Sequence, residues 1–297
     1  MTLIDLVVIA LVIGCASGRD EEKKDISWDY LVFAQVWPYS LCDVANLLKN
    51  DSCSVPKKVT GGWTIHGLWP SRIGGKIGPE FCVPADHFNL DEVKPIMDEL
   101  LHHWPNLIPQ ETLFSLWQHE WIKHGTCAEQ LPEINGELNY FQKGLQLNEM
   151  YSIVNILSAS QIFPSDEPKF KAEDIAAAVE KARGKKGQVH CLKAVVEGKT
   201  NWYLVDIRVC LDKQMALIDC PQHHKPGEGY HRSELIESLG VPDAEQCPPN
   251  VPLLYVPPRP DHYHDQHYHD AHSYAHNYRE EYGGKWDREA MDERDEL

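Results

Sequence analysis

The cysteines are the sequence feature that most constrains how this chain folds. The first of nine, Cys15, follows an apolar run from Leu6 to Ile13 that predicts a signal peptide over residues 1–18. The run is too short to span a membrane. Removal of the signal peptide, and of Cys15 with it, leaves an even number of cysteines in an exported chain, which predicts four disulfide bonds. These cysteines are Cys42, Cys53, Cys82, Cys127, Cys191, Cys210, Cys220 and Cys247.

The cysteine spacing does not favour the alternatives to disulfides. The alternative interpretation is that the cysteines are free or metal-binding thiols. No two cysteines have the C-x-x-C spacing of a zinc ribbon, which disfavours metal binding. A nucleophilic Cys127 beside His124 is a further alternative, which the even cysteine count disfavours. Spacing alone leaves the pairing open. The sequon at Asn50 predicts a glycosylated loop.

The net charge limits how the protein can meet a nucleic acid. A formal charge of −17 argues against a broad basic surface of the kind that holds phosphate backbones. Any polyanion must therefore be bound locally, at a small site. At mildly acidic pH, protonated carboxylates and histidines reduce the negative charge.

The hydrophobic pattern predicts an α+β domain. Four segments have helical spacing, namely 90–101, 114–124, 140–157 and 173–183. Five have the β-branched and aromatic composition of strands, namely 28–38, 63–69, 188–196, 202–210 and 215–219. The last three strands follow one another at turn-length intervals, which indicates an antiparallel meander, and no βαβ alternation occurs.

The composition changes at Pro257. Beyond it, six histidines alternate with aspartate and tyrosine, and the chain end is almost wholly charged. Such a segment cannot bury a core, so we expect a catalytic domain over 19–256 and a disordered tail over 257–297. Loose metal binding or a pH-dependent charge switch are alternatives for the histidines. The terminal Arg294–Leu297 is either a retrieval signal for an endoplasmic reticulum receptor or an accidental acidic end.

A run of ionisable side chains lies on the second predicted helix. Residues 119–124 are His-Glu-Trp-Ile-Lys-His. They either form a functional site or are an ordinary charged, solvent-exposed helix face. Zinc proteases place two histidines four residues apart, whereas His119 and His124 are five apart. At about 100° per residue of an α-helix, they point roughly 140° apart. The spacing therefore predicts that they do not share a metal ion.

Metal-free cleavage of RNA fits this set of side chains. The reaction needs a base for the 2′-hydroxyl, an acid for the leaving 5′-oxygen and cations near the phosphorane. Two imidazoles can supply the acid and the base. His66 is the best second candidate, because Gly62 and Gly67 permit close approach of a substrate and Trp63 and Trp69 offer stacking surfaces.

Two segments resemble the conserved active-site segments of the T2 ribonucleases. They are 63–70 (Trp-Thr-Ile-His-Gly-Leu-Trp-Pro) and 119–127 (His-Glu-Trp-Ile-Lys-His-Gly-Thr-Cys), in the same order as in that family. The resemblance extends from about Trp28 to Cys247. It implies a central antiparallel sheet packed with helices, and cleavage of single-stranded RNA through a 2′,3′-cyclic phosphate to 3′-phosphate products without a cofactor. It also implies the pairing Cys42–Cys53, Cys82–Cys127, Cys191–Cys247 and Cys210–Cys220.

The resemblance also implies a role for each matching residue. His124 corresponds to the base and His66 to the acid, while Glu120 and Lys123 steady the phosphorane and His119 holds a phosphate oxygen. Trp69 would stack on a base. Gln35, Pro109 and Gln110 lie near the position of the second base pocket of the family.

Two departures from the family pattern leave the base preference open. Ser71 stands where some relatives use an aspartate to recognise the base, and Leu116 replaces a frequent phenylalanine.

The expected partner is RNA, and the expected state is a monomer without a membrane span. The expected location is the secretory pathway, either secreted, in a lysosome-like acidic compartment or retained in the endoplasmic reticulum lumen. The alternative function is catalysis-independent binding of a cell-surface or immune partner.

Overall fold

The computed structural model describes residues 26–59, 62–74, 78–83, 88–221, 239–242 and 244–263. The predicted signal peptide, Cys15 and the chain beyond residue 263 lie outside these residues. Within them, no helix is long and apolar enough to cross a membrane.

A mostly antiparallel sheet forms the centre of the molecule. Its strands are β1 (Tyr30–Val36), β2 (Thr64–Ser71), β3 (Ser165–Lys171), β4 (Gln188–Val196), β5 (Lys199–Leu211), β6 (Leu217–Ile218), β7 (Glu245–Gln246) and β8 (Pro252–Tyr255). The main order is β2-β1-β5-β4-β7, and β6 continues the predicted antiparallel meander beside β5. β8 joins the exposed β3 to β5. The long buried strands β1 and β5 therefore lie at the middle of the sheet, where they support β2.

Helices cover the sheet, so the α+β prediction is confirmed. They are α1 (Pro38–Leu48), α2 (Leu90–Val93), α3 (Met97–His103), α4 (Ser115–Glu120), α5 (Thr126–Ala128), α6 (Glu137–Met150), α7 (Ile153–Ala159) and α8 (Ala172–Arg183). Helix α1 was not among the predicted helices; it begins at Pro38, a residue suited to a first helical turn.

Two predicted helices are each divided in the structure. The 90–101 helix is interrupted by a 3₁₀ turn, Lys94–Ile96, because Pro95 has no N–H to continue the α-helical ladder. The 140–157 helix ends at Met150, and α7 begins after Ser152, whose hydroxyl accepts a hydrogen bond from the Asn155 N–H. This N-cap competes with a continuous helix, which apolar spacing alone did not reveal.

The four disulfides have the pairing that the family resemblance implies. The bonds are Cys42–Cys53, Cys82–Cys127, Cys191–Cys247 and Cys210–Cys220. Asn50 is exposed just after α1, so the sequon is accessible for the predicted glycosylation.

The packed chain extends further than the sequence predicted. We expected the domain to end at residue 256, but residues 257–263 dock onto α1. The buried His262 Nε2 lies 2.7 Å from Asp43 Oδ1, and Arg259 also pairs with Asp43. Tyr263 and Tyr39 share a hydrogen bond of 2.9 Å between their hydroxyls. Specific polar contacts therefore order a segment whose composition suggested a tail.

The outer edge of β2 is satisfied by side chains from the helical layer. The Trp104 indole donates to the His66 carbonyl over 3.1 Å, and the Tyr140 hydroxyl donates to the Leu68 carbonyl over 2.9 Å. An edge strand otherwise exposes such carbonyls to solvent or to another chain. These bonds fix the backbone on both sides of Gly67.

Candidate active site

A β-bulge in β2 sets the direction of the first predicted histidine. Gly67 pairs with Ala34 and Ile65 pairs with Gln35, so His66 is the extra residue between them. In a regular strand, residues three apart face opposite sides, and a bulge changes this alternation. The rings of His66 and Trp69 consequently meet, with their centroids 4.9 Å apart.

Gly67 lets the two predicted motifs touch. The Trp69 Nε1 donates to Glu120 Oε2 over 2.9 Å, which joins β2 to α4. A Cβ at position 67 would lie 2.0 Å from Trp69 Nε1 and 2.3 Å from Glu120 Oε2. We expected this glycine to permit substrate approach, whereas in the structure the space beside it is occupied by the hydrogen bond between the motifs.

A π-helical turn follows α4 and brings the second motif together. Residues Trp121–Gly125 form hydrogen bonds from i to i+5, a wider turn than in an α-helix. His119 lies before this turn and His124 within it, and their ring centroids are 6.2 Å apart. Their ligand-type atoms and a carboxylate oxygen of Glu120 lie within 4.8 Å of one another.

The predicted separation of His119 and His124 is therefore wrong. The angle of 140° applies to a regular α-helix, and the wider π turn reduces the angular difference that a five-residue spacing would otherwise produce. The geometric argument against a shared metal ion no longer holds, because the imidazole and carboxylate atoms are close enough to share one. This arrangement still differs from that of the zinc proteases, in which two histidines four residues apart share one face of an α-helix.

Both motifs meet around the Trp69 indole. The His124 ring centroid lies 5.7 Å from that of Trp69, on which the His66 ring also packs. The Arg208 guanidinium lies 5.0 Å from the Trp69 ring centroid. Trp69 is only 1% exposed, so its ring links these groups here. Stacking of Trp69 on a base remains a prediction.

Two charged residues that the sequence analysis missed complete the site. Asp206 Oδ2 lies 2.9 Å from His66 Nδ1, and Arg208 Nε donates to Asp206 Oδ1 over 3.0 Å. Both residues belong to β5 and are buried. Their signal in the sequence was an Asp-x-Arg pair within an apolar strand, since residues two apart share a face.

Lys123 supplies a cation at the second motif. Its side chain is 8% exposed, and its Nζ lies 3.9 Å from Glu80 Oε1. The Lys123 carbonyl accepts a hydrogen bond from the Phe81 N–H. Glu80 and Phe81 therefore lie beside Lys123, whose ammonium is partly desolvated, and charge interactions there are stronger than in water.

His119 is uncharged over the ordinary pH range. Burial, followed by the positive charges of Lys123 and His66, lowers the pKa of His119 to about 3, against a smaller opposing effect of Glu80. A neutral imidazole can donate one hydrogen bond and accept another. His119 therefore suits a phosphate oxygen as a neutral donor, whereas Lys123 provides the positive charge.

The low pKa of His119 predicts that the fold weakens in acid. Between pH 6.5 and about 3, the unfolded chain binds a proton at His119 that the folded protein does not, so stability falls as pH falls. We expect a His119→Gln variant to lose this dependence, by up to about 1.4 kcal/mol per pH unit. Urea unfolding at pH 4.5–6.5 measures it, with the exposed His102→Gln as control. Equal slopes in His119→Gln and the parent would contradict the prediction.

The residues assigned to a second base pocket have other contacts. Gln35 is buried and donates to the Tyr151 carbonyl over 3.0 Å. Gln110 donates to the Asp51 carbonyl over 2.7 Å, and Pro109 precedes it in the same loop. Neither hydrogen bond reaches His66 or His124, so a role in base binding remains a prediction for all three.

The two positions that depart from the family pattern are both buried. The Ser71 hydroxyl donates to the Trp69 carbonyl over 3.1 Å. Leu116 is 5% exposed and packs in the core. Ser71 therefore supports the backbone of the first motif.

Comparison with known proteins identifies a family. The model of the ribonuclease T2 family matches residues 28–220. Ribonuclease Oy from Magallana gigas is 36% identical over 230 residues, which cover 77% of this chain and 97% of that protein. Ribonuclease T2 from Homo sapiens is 30% identical over 263 residues, covering 84% of this chain and 93% of its own.

Solved structures agree in fold. The crystal structure of RNase NT in complex with 5′-AMP has a TM-score of 0.58 and 28% identity, covering 75% of this chain and 99% of that one. The crystal structure of human RNase T2 has a TM-score of 0.58 and 26% identity, covering 78% and 100%. Both share the arrangement of sheet and helices described above.

Proposed function

Since the chain belongs to the ribonuclease T2 family and is an RNA-cleaving endoribonuclease, we propose that it cleaves single-stranded RNA by acid–base catalysis with His66 and His124. One observation carries this proposal. The two imidazoles come from separate motifs and pack on the same Trp69 indole, at centroid distances of 4.9 and 5.7 Å. An acid and a base that act on the two oxygens of one phosphate must be neighbours in this way.

In the first step, the 2′-oxygen attacks the adjacent phosphorus. His124 takes the proton of the 2′-hydroxyl, the new P–O bond forms, and the bond from phosphorus to the 5′-oxygen breaks. His66 gives its proton to that 5′-oxygen, so one product carries a 2′,3′-cyclic phosphate and the other a free 5′-hydroxyl. In the second step the roles reverse: His66 takes a proton from water and His124 protonates the 2′-oxygen, which leaves a 3′-phosphate.

The residues beside His124 suit the charge that develops on phosphorus. Lys123 offers a partly buried ammonium, which stabilises the oxygens of the phosphorane more strongly than a solvated one would. His119 is a neutral hydrogen-bond donor for one of these oxygens. Glu120, held by the Trp69 indole, is a fixed hydrogen-bond acceptor in the same cluster.

The site provides only a small cationic surface in a chain of net charge −17. Repulsion between this chain and RNA decreases as carboxylates become protonated. We therefore propose an optimum on the acidic side of neutrality, where binding improves and one imidazolium is available as the acid.

The products of defined substrates test this function. A dinucleoside phosphate incubated at pH 5 with a chelator is expected to give first a 2′,3′-cyclic phosphate and then a 3′-phosphate, both resolved by ³¹P NMR. The matching 2′-deoxy substrate lacks the nucleophile and should remain intact. Cleavage of the 2′-deoxy substrate would contradict the mechanism, as would loss of activity on adding the chelator. A series of such substrates with different bases also measures the base preference.

The four disulfides support a location in an oxidising compartment, because such bonds persist outside the cytosol. We propose a monomer that enters the secretory pathway through the segment 1–18, with glycosylation at Asn50 and destination secretion or an acidic compartment. Retrieval to the endoplasmic reticulum through Arg294–Leu297 is tested by removing these four residues and following the protein in cells. The comparisons favour RNA cleavage over catalysis-independent binding.

A further inference from the structure

We propose that Asp206 is a positioning residue for His66: its carboxylate holds the imidazole with the proton on Nδ1, so that Nε2 is the nitrogen that exchanges the reacting proton. Arg208 in turn holds Asp206. This inference rests on the proposed role of His66 in RNA cleavage.

The pair is fully buried and geometrically fixed. His66 and Asp206 are both 0% exposed, and His66 Nδ1 lies 2.9 Å from Asp206 Oδ2. The other carboxylate oxygen, Oδ1, accepts from Arg208 Nε over 3.0 Å. Both oxygens of Asp206 are thus engaged, and the His66 backbone is itself held by the Trp104 indole.

The sheet explains how the two residues meet. His66 on β2 and Asp206 on β5 are separated by β1, so their strands are about 10 Å apart. Ala34 on β1 pairs with Gly67 on one side and with Arg208 on the other. Asp206 pairs with Val36, two residues further along β1, and the His66 and Asp206 side chains meet across this middle strand.

The charge state of Asp206 determines the tautomer of His66. Burial alone would raise the pKa of Asp206, but the Arg208 guanidinium and the contact with His66 hold it below its usual range. An ionised carboxylate only accepts hydrogen bonds, so His66 Nδ1 must donate. Only Nε2 is then able to lose and regain a proton during the reaction, as in other sites where an aspartate orients a histidine.

Ionisable groups from several elements lie in the cluster that contains His66 and Asp206. The groups on neighbouring elements are Asp206 and Arg208 on β5, His190 on β4, His119 and Glu120 on α4, and Lys123 and His124 on the π turn. Asp206 is the acidic group in direct contact with the ring, so its removal should have the largest effect.

The first test is an Asp206→Asn variant. A neutral amide can present a donor to Nδ1 and so allow the wrong tautomer, and we expect kcat to fall by about 10² to 10⁴-fold with little change in KM. The alkaline limb of the pH–rate profile should move to lower pH, because the imidazolium loses its carboxylate. The matched control is Asp98→Asn, since the Asp98 side chain is 86% exposed and distant in role. An Asp206→Asn enzyme with the kcat of the parent would overturn the proposal.

A second comparison separates positioning from general stabilisation. In a His66→Ala background, Asp206→Asn should cause no further loss of kcat, because the group through which it acts is absent. A further loss equal to that in the parent would show that Asp206 acts independently of His66. If His66→Ala keeps the activity of the parent, the proposed function fails instead, so the two failures are distinguishable.

The unmodified protein provides a readout that does not depend on a variant folding. We expect ¹⁵N NMR of the His66 ring to show a proton on Nδ1 at every pH from 5 to 8. A proton on Nε2 with an unprotonated Nδ1 at pH 8 would overturn the proposal. This measurement also decides the matter if Asp206→Asn leaves Arg208 buried without its partner and the variant does not fold.

Discussion

Replacing either His66 or His124 by alanine is expected to lower kcat/KM for RNA by about 10³-fold, within the range of 10² to 10⁴ usual for a general acid or base. The reason is that both imidazoles pack on Trp69 at one site, and in the proposed mechanism each transfers its own proton. Each single variant should also lose one limb of the bell-shaped pH–rate profile. Steady-state kinetics on a dinucleoside phosphate at pH 4–8 measures both effects.

The double variant and a surface control sharpen this test. An acid and a base act in the same transition state. The fold loss of kcat/KM in the double variant His66→Ala/His124→Ala should therefore be much smaller than the product of the losses in the two single variants. His102→Ala is the matched control, since this histidine is exposed and its Nδ1 contacts the Asp98 carbonyl on its own helix. If His102→Ala loses as much activity as the other two, histidine chemistry at this site is not the cause.

Gly67→Ala is expected to damage both stability and activity. The added Cβ would lie 2.0 Å from Trp69 Nε1 and 2.3 Å from Glu120 Oε2, and these atoms are bonded to each other. Relief therefore requires breaking the bond between the two motifs or shifting β2, whose carbonyls on both sides are also held. We expect a loss of about 1 to 3 kcal/mol in the free energy of unfolding, as for other overpacked sites.

Gly62→Ala supplies the matched control for this substitution. A Cβ at Gly62 has nothing within 4 Å, so the same chemical change should leave the unfolding free energy within about 0.5 kcal/mol of the parent. Urea unfolding at pH 6.5 compares the stability of the two variants, and steady-state kinetics on RNA compares their kcat. A Gly67→Ala protein as stable and active as Gly62→Ala would show that the Trp69–Glu120 contact is unimportant.

Much of the fold was accessible from the sequence because its signals are local. The meander over residues 188–219 alternates and turns at regular intervals, and it forms β4, β5 and β6 as expected. By contrast, the exposed strand β3 lacks a buried face, so its residues give no alternation to recognise. It becomes a strand by pairing with β8, far along the chain.

The candidate site divides in the same way. His66, Glu120, Lys123 and His124 belong to compact motifs whose residue types suit RNA cleavage. The sequence by itself therefore predicted the chemistry that we propose and, through the family resemblance, the disulfide pairing. The positions of these residues in space depended on two irregular features, the bulge at His66 and the π turn at Trp121–Gly125, and on the long-range pairing of β1 with β5.

Only the tertiary structure decided which groups meet. A five-residue spacing predicts divergence of His119 and His124 in a regular α-helix, but the π turn makes them neighbours. Asp206 reaches His66 because β5 lies beside β1, a long-range contact that no local pattern encodes. Residue type therefore indicated which groups can exchange protons, whereas backbone irregularity and strand pairing decided where those groups lie.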